Sequence, residues 1–380
     1  MLRAQAPLPP AELSERLRRF AEEIESGGTD IAATALDVEI ARQAKSYLAG
    51  LEAYRRHPYR RADEAAPVLW REGATRLLDY GECEDGAVVL FIPSLINRFY
   101  ILDLLPERSF LRHLGRRGLR PLVVDWGAPG EPERGFDLTD YIASRLIRAF
   151  DAASGLVERP IGVAGYCMGG LFAVALALRR PERIGALALL ATPWDFHADR
   201  TPAAHFLGLV ADSLPLFCND AGTVPVDVIQ SLFFVLDPLS AERKFTRFGA
   251  CDPNGDEARA FVALEDWVND GVPLAAGVAR DCARSWYGAN EPRRGRWQVG
   301  GRTVDPTQLR APALVVVPSR DRIVPPSSAE PLAAALAMGL GGATVLRPPF
   351  GHVGMMSAAR APDTLWTEIA DWLRARLDRR

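Results

Sequence analysis

Lysine is almost missing from this chain: Lys45 and Lys244 are the only two among 45 basic residues, the rest being arginine. We read that bias as a habit of the source genome rather than a binding surface. The net charge of −3 leaves no basic footprint of the kind a nucleic-acid partner requires. Long apolar runs are missing as well. The longest, such as Ile184–Ala191, fall far short of the roughly 20 residues needed to cross a membrane. The opening segment Met1–Pro10 has Arg3 and several prolines but no apolar stretch of the kind a secretory leader carries. Cysteines number five, odd and irregularly spaced, which argues against a disulfide framework. These absences predict a cytoplasmic protein with no membrane span and with thiols free for chemistry. His57, His113, His197 and His205 show no ligand spacing and read as surface or satisfied core residues, and no metal or cofactor is expected.

What is present is a chain of 380 residues, 48% apolar and 24% charged, long enough for a large core. Leu13, Leu17, Phe20 and Ile24 recur at spacings of three and four, and a second helix is expected over Asp37–Arg55. His57-Pro58-Tyr59-Arg60-Arg61 breaks that pattern, so residues 1–67 read as an N-terminal helical arm. From Val68 the chain alternates short apolar runs with longer helical stretches. Strands are expected at Ala74–Tyr80, Val88–Ile92, Pro121–Trp126, Ile161–Ala164 and Ile184–Leu190, and helices at Ser109–Arg117, Thr139–Ser154 and Leu171–Arg180. The rhythm stops at Thr192-Pro193-Trp194. It resumes with a strand at Ala313–Val317, a helix at Ser328–Met338, a strand at Ala343–Leu346 and a helix at Pro362–Leu377. The prediction is an α/β protein with a mostly parallel central sheet flanked by helices. Residues 68–194 and 297–380 would form the core, with a mainly helical cap inserted over 195–296.

The sharpest local pattern is Gly165-Tyr166-Cys167-Met168-Gly169-Gly170, between a predicted strand and a predicted helix. This is a nucleophile elbow with Cys where Ser is usual. Gly165 and Gly169 keep the tight turn free of collisions, and the helix start beneath favours a thiolate. In such a fold the acid and base follow in chain order at the ends of later strands. Asp321 lies in the loop after Ala313–Val317, and His352 in Gly351-His352-Val353-Gly354 follows Ala343–Leu346. An oxyanion hole needs two backbone N–H groups, here Met168 after the nucleophile and Leu95 in Pro93-Ser94-Leu95-Ile96.

The stretch Phe91–Asp103, with Pro93-Ser94-Leu95-Ile96-Asn97 inside it, resembles a motif of polyhydroxyalkanoate synthases. Val124–Gly127, the cysteine elbow, Trp267–Asn269, Gly300–Asp305, Asp321–Pro326 and Gly351–Gly354 resemble that family in the same order. Arg98 and Arg322 stand where the family commonly has Lys and His. The resemblance implies an α/β-hydrolase superfamily core of the short, class III-like catalytic subunit, polymerising (R)-3-hydroxyacyl-coenzyme A through a Cys167 thioester. It further implies a polyester granule, a helical partner subunit and a homodimer, with coenzyme A as leaving group rather than cofactor. An intracellular polyhydroxyalkanoate depolymerase or an acyl-coenzyme A thioesterase on the same triad is the alternative, and a catalytically silent scaffold the third reading. Cys83, Cys218, Cys251 and Cys282 read as structural. Asn97 and Tyr100 read as shaping the mouth of the site. Trp194, Phe196, Phe206, Phe233, Phe234, Trp267 and Trp286 read as the core of the cap, the alternative being that a few of them line an acyl channel.

Overall fold

The apolar runs become strands because each is covered on both sides. In Ala87–Ile92 every residue is buried: Val88, Leu90 and Ile92 join one hydrophobic cluster, Val89 and Phe91 another on the opposite face. Two-residue alternation and burial on both faces merge into one continuous apolar stretch. Each such side chain contributes about 1.5–3 kcal/mol on leaving water, so the sheet carries much of the stability.

In the computed structural model, residues 11–27, 29–62, 66–200, 217–219, 221–234 and 240–378 are described. The chain divides into two compact units, Met1–Pro58 with Leu239–Arg259, and Tyr59–Pro238 with Ala260–Arg380. Within the second unit lies an eight-stranded sheet: β1 (Val68–Glu72), β2 (Thr75–Asp79), β3 (Ala87–Ile92), β4 (Leu119–Asp125), β5 (Ile161–Tyr166), β6 (Ile184–Leu190), β7 (Ala313–Val316) and β8 (Ala343–Leu346). Their order across the sheet is β1-β2-β4-β3-β5-β6-β7-β8. Only β2 runs against its neighbours. The mostly parallel sheet flanked by helices is the architecture the sequence predicts.

The differences in detail are physical. The sequence predicts the first strand at Ala74, but β1 precedes it and turns into β2 at Gly73, whose φ of +56° requires glycine. The helix after Cys167 starts at Met168 rather than Leu171 and runs to Arg179. Gly169 and Gly170 look like poor helix formers, yet they are there because nothing larger fits. The helix expected over Thr139–Ser154 opens as a wider π-helical segment, Asp140–Leu146, before Ile147–Ser154. After β6 come the helices Val226–Phe234, Asp256–Asn269 and Ala276–Asp281, the π-helical turn Cys282–Gly288 and the short ladder Thr223–Val224 with Leu274–Ala275. Trp194, Phe196, Trp267 and Trp286 are buried. His205 and Phe206, and the side chains of Leu13, Phe20, Phe233 and Phe234, lie outside the described residues.

In the first unit, helices Ala11–Gly27 and Thr29–Arg56 are joined by Ser240–Phe248. The second helix begins at Thr29, eight residues before its expected start. Gly50 allows the close crossing: a Cβ there would stand 1.8 Å from the Phe245 carbonyl oxygen. Tyr47 and Tyr54 meet the Phe245 ring edge-on. Among the described residues no helix is long and apolar enough to cross a membrane.

Candidate active site

Strand β5 hands the chain directly to a helix at Cys167, with no loop between. Cys167 sits at φ 55° and ψ −124°, a conformation that costs a non-glycine residue of order 1–3 kcal/mol. Its N–H still donates to the Leu190 carbonyl at 2.8 Å, so the strained residue is held by the sheet ladder. Three glycines make the turn possible. A Cβ on Gly165 would lie 2.5 Å from the Gly169 carbonyl oxygen, one on Gly169 1.9 Å from that of Ile92, and one on Gly170 1.9 Å from Thr192 Oγ1. The local pattern accounts for Gly165 and Gly169; the need for Gly170 comes from Thr192, a contact no local pattern announces.

Asp321 follows β7 and His352 follows β8, and both side chains are buried. Asp321 Oδ1 accepts from the Ile323 and Val324 N–H groups at 2.9 and 2.8 Å. Its Oδ2 lies 2.7 Å from His352 Nδ1. That contact leaves Nε2 for Cys167, whose side chain lies near enough to act on the ring. Burial alone would depress the His352 pKa. The charge of Cys167 on one side, and the hydrogen bond and charge of Asp321 on the other, outweigh it and push the imidazole up to about 10. The structure therefore brings Cys167, His352 and Asp321 together from three strand ends. Beneath them Tyr166, unnoticed in the sequence, stacks on the His352 ring with centroids 5.3 Å apart and donates its hydroxyl to the His352 carbonyl at 3.2 Å. Its only sequence signal is its place beside the nucleophile.

The two amides expected to receive an oxyanion lie on either side of this turn. Met168 opens the helix, and Leu95 lies in the loop after β3. Ser94 Oγ takes the Ile96 N–H at 3.2 Å and reaches Met168 Sδ at 3.7 Å, and Trp126 Nε1 donates to the Pro93 carbonyl at 3.0 Å. Among the described residues neither the Leu95 nor the Met168 N–H has a hydrogen-bond partner. Leu95, Asn97, Arg98, Phe99, Trp126 and Val272 line a small cleft. A further aromatic comes from the turn Cys282–Gly288: burial first, then the charges of Cys282 and Cys167, raise the Tyr287 phenol. Burial, with the charge of Asp281 added, also pushes the Cys282 thiol up. None of the five cysteines forms a disulfide.

A family profile described as alpha/beta hydrolase fold matches residues 87–359. The poly(3-hydroxyalkanoate) polymerase subunit PhaC of Haloferax mediterranei is 28% identical over 317 residues, which cover 81% of this chain and 63% of that protein. The subunit of the same name from a Synechocystis species is 30% identical over 296 residues, covering 76% of this chain and 78% of that protein. The chain thus spans less than two thirds of the length of the Haloferax relative. A crystal structure of a hydrolase from Pseudomonas aeruginosa PA01 superposes with a TM-score of 0.51 at 19% identity, covering 82% of this chain and 99% of that one, a likeness of fold.

Proposed function

We propose that this chain, which belongs to the α/β-hydrolase fold family and is related to the poly(3-hydroxyalkanoate) polymerase subunits, is an acyltransferase that joins (R)-3-hydroxyacyl groups from coenzyme A thioesters into polyester through Cys167. The observation that carries this reading is a thiol on a strained elbow, beside an imidazole that a buried carboxylate orients. A thiol suits a thioester donor, because exchange of one thioester for another keeps the acyl group activated, whereas a serine ester would not.

The charge balance fits two half-reactions. In the first, His352 takes the proton of the Cys167 thiol. The sulfur attacks the thioester carbonyl, and the oxyanion is received by the Met168 and Leu95 N–H groups. The carbonyl re-forms, the bond to the coenzyme A sulfur breaks, and His352 gives that sulfur its proton. The acylated Cys167 has now lost the charge that raised the imidazole, while burial, which opposes protonation, remains. A neutral His352, oriented by Asp321, can then take the proton of a 3-hydroxyl as that oxygen attacks the acyl-enzyme. The Cys167 sulfur leaves as thiolate and His352 again carries the proton. In this reading the inserted segment 195–296 acts as a cap that keeps water from the acyl-enzyme. The setting is the cytoplasm at a polyester granule, with a second copy and a helical subunit as partners.

The test is incubation with (R)-3-hydroxybutyryl-coenzyme A, following thiol release, turbidity and free acid. The wild-type protein is expected to release coenzyme A and form polymer. Cys167→Ala should lose at least about a thousand-fold in thiol release. Undiminished release by that variant would overturn the mechanism. Free hydroxy acid in place of polymer would assign the same triad to a depolymerase or thioesterase.

A further inference from the structure

The loop that carries Leu95 is held from outside by the segment that follows the helix Asp256–Asn269. Asn97 and Gly271 form an isolated antiparallel bridge, and the Val272 N–H donates to the Ile96 carbonyl at 3.1 Å. Trp267 Nε1 donates to the Arg98 carbonyl at 2.8 Å. Asp270 supplies the side-chain clamp: its Oδ1 accepts from Arg98 Nε at 3.1 Å and its Oδ2 from the Tyr100 hydroxyl at 2.9 Å. One carboxylate therefore grips the chain at two points just past the Leu95 amide. Burial, together with the Asp270 hydrogen bond, raises the Tyr100 phenol, so it remains a donor throughout the usable pH range.

The Asp270 and Arg98 side chains are 45% and 34% exposed. An ion pair that open to water adds little to stability. Its geometric effect is separate from its energy, because an oxyanion donor displaced by a fraction of an ångström loses much of its value. We infer that Asp270 is a positioning residue for acyl transfer, fixing the loop Pro93–Arg98 so that the Leu95 N–H meets the oxyanion. This rests on the acyl-enzyme reading above and adds to it a residue outside the triad.

Two reactions of the same sulfur separate positioning from general damage. Acylation of Cys167 by a coenzyme A thioester passes through an oxyanion, whereas alkylation by iodoacetamide displaces iodide at carbon and needs no such hole. Asp270→Asn and Tyr100→Phe should slow acylation, the former about ten-fold or more through kcat rather than KM. Alkylation should stay within about two-fold and the melting midpoint within about 2 °C. Asp270→Glu, which keeps the charge, should recover part of the rate. Unchanged acylation in Asp270→Asn, or acylation and alkylation falling together with the melting point, would overturn the inference. Hydrogen exchange in the full-length protein gives an answer that does not depend on the acyl-enzyme. Residues 93–98 should exchange faster in Asp270→Asn while the elbow stays protected, and an unaltered loop would overturn the inference too. A wild-type protein that never acylates would instead remove the proposed function.

Discussion

At the scale of single residues the site is an electrostatic balance centred on His352. Its folded pKa, about 10, lies above the ordinary value of 6.5. The stabilisation drawn from the imidazolium is therefore complete below about 6.5 and is lost as pH rises through about 10. Asp321→Asn removes the carboxylate partner at Nδ1, so the stability gap between wild type and variant should be widest near pH 6 and shrink towards pH 10. Denaturant titrations across that range would check it, and a gap that widened with pH would contradict the assignment. Cys167, Asp321 and His352 were legible in the sequence because each follows a strand that its own apolar run declares. Tyr166, Gly170 and Asp270 were not. Their roles are set by His352, Thr192 and Arg98, residues distant in sequence whose meeting no local spacing encodes.

Elements were legible where burial produces a periodic signature. Strand β6 falls on its expected ends because a continuous apolar run bounds it. Strand β1 has no such signature; at the sheet edge it carries the exposed residues Val68 and Leu69, so no fully buried run marks it. What fastens that edge is polar. Glu133 is fully buried and accepts from the Ala74 and Gly130 N–H groups, both at 3.1 Å, and from Arg145 Nη1 at 2.7 Å. Arg145 also reaches the Glu72 carbonyl and Thr75 Oγ1, so the β1–β2 turn is clasped by a buried ion pair. Removing one partner strands the other charge, which typically costs 3–5 kcal/mol. Glu133→Ala should lose roughly that much stability in urea, with the first hairpin the region that gains hydrogen exchange. A loss of less than about 1 kcal/mol would mean that water readily replaces the carboxylate.

At the scale of the molecule, the grouping of Leu239–Arg259 with Met1–Pro58 left no trace in composition. The pairing depends on the crossing of Thr29–Arg56 with Ser240–Phe248 at Gly50, and a glycine within a helix reads in sequence only as a weak position. Gly50→Leu places a side chain where even a Cβ collides with backbone. That variant should open the first unit, seen as rapid proteolysis at 239–259; resistance equal to wild type would show that the crossing tolerates bulk. The order of the chain has a consequence in time. Tyr166 and the His352 carbonyl it holds are 186 positions apart, and ribosomes add roughly 5–20 residues per second. A nascent chain therefore carries its sulfur for roughly 10–40 s before its imidazole has been made.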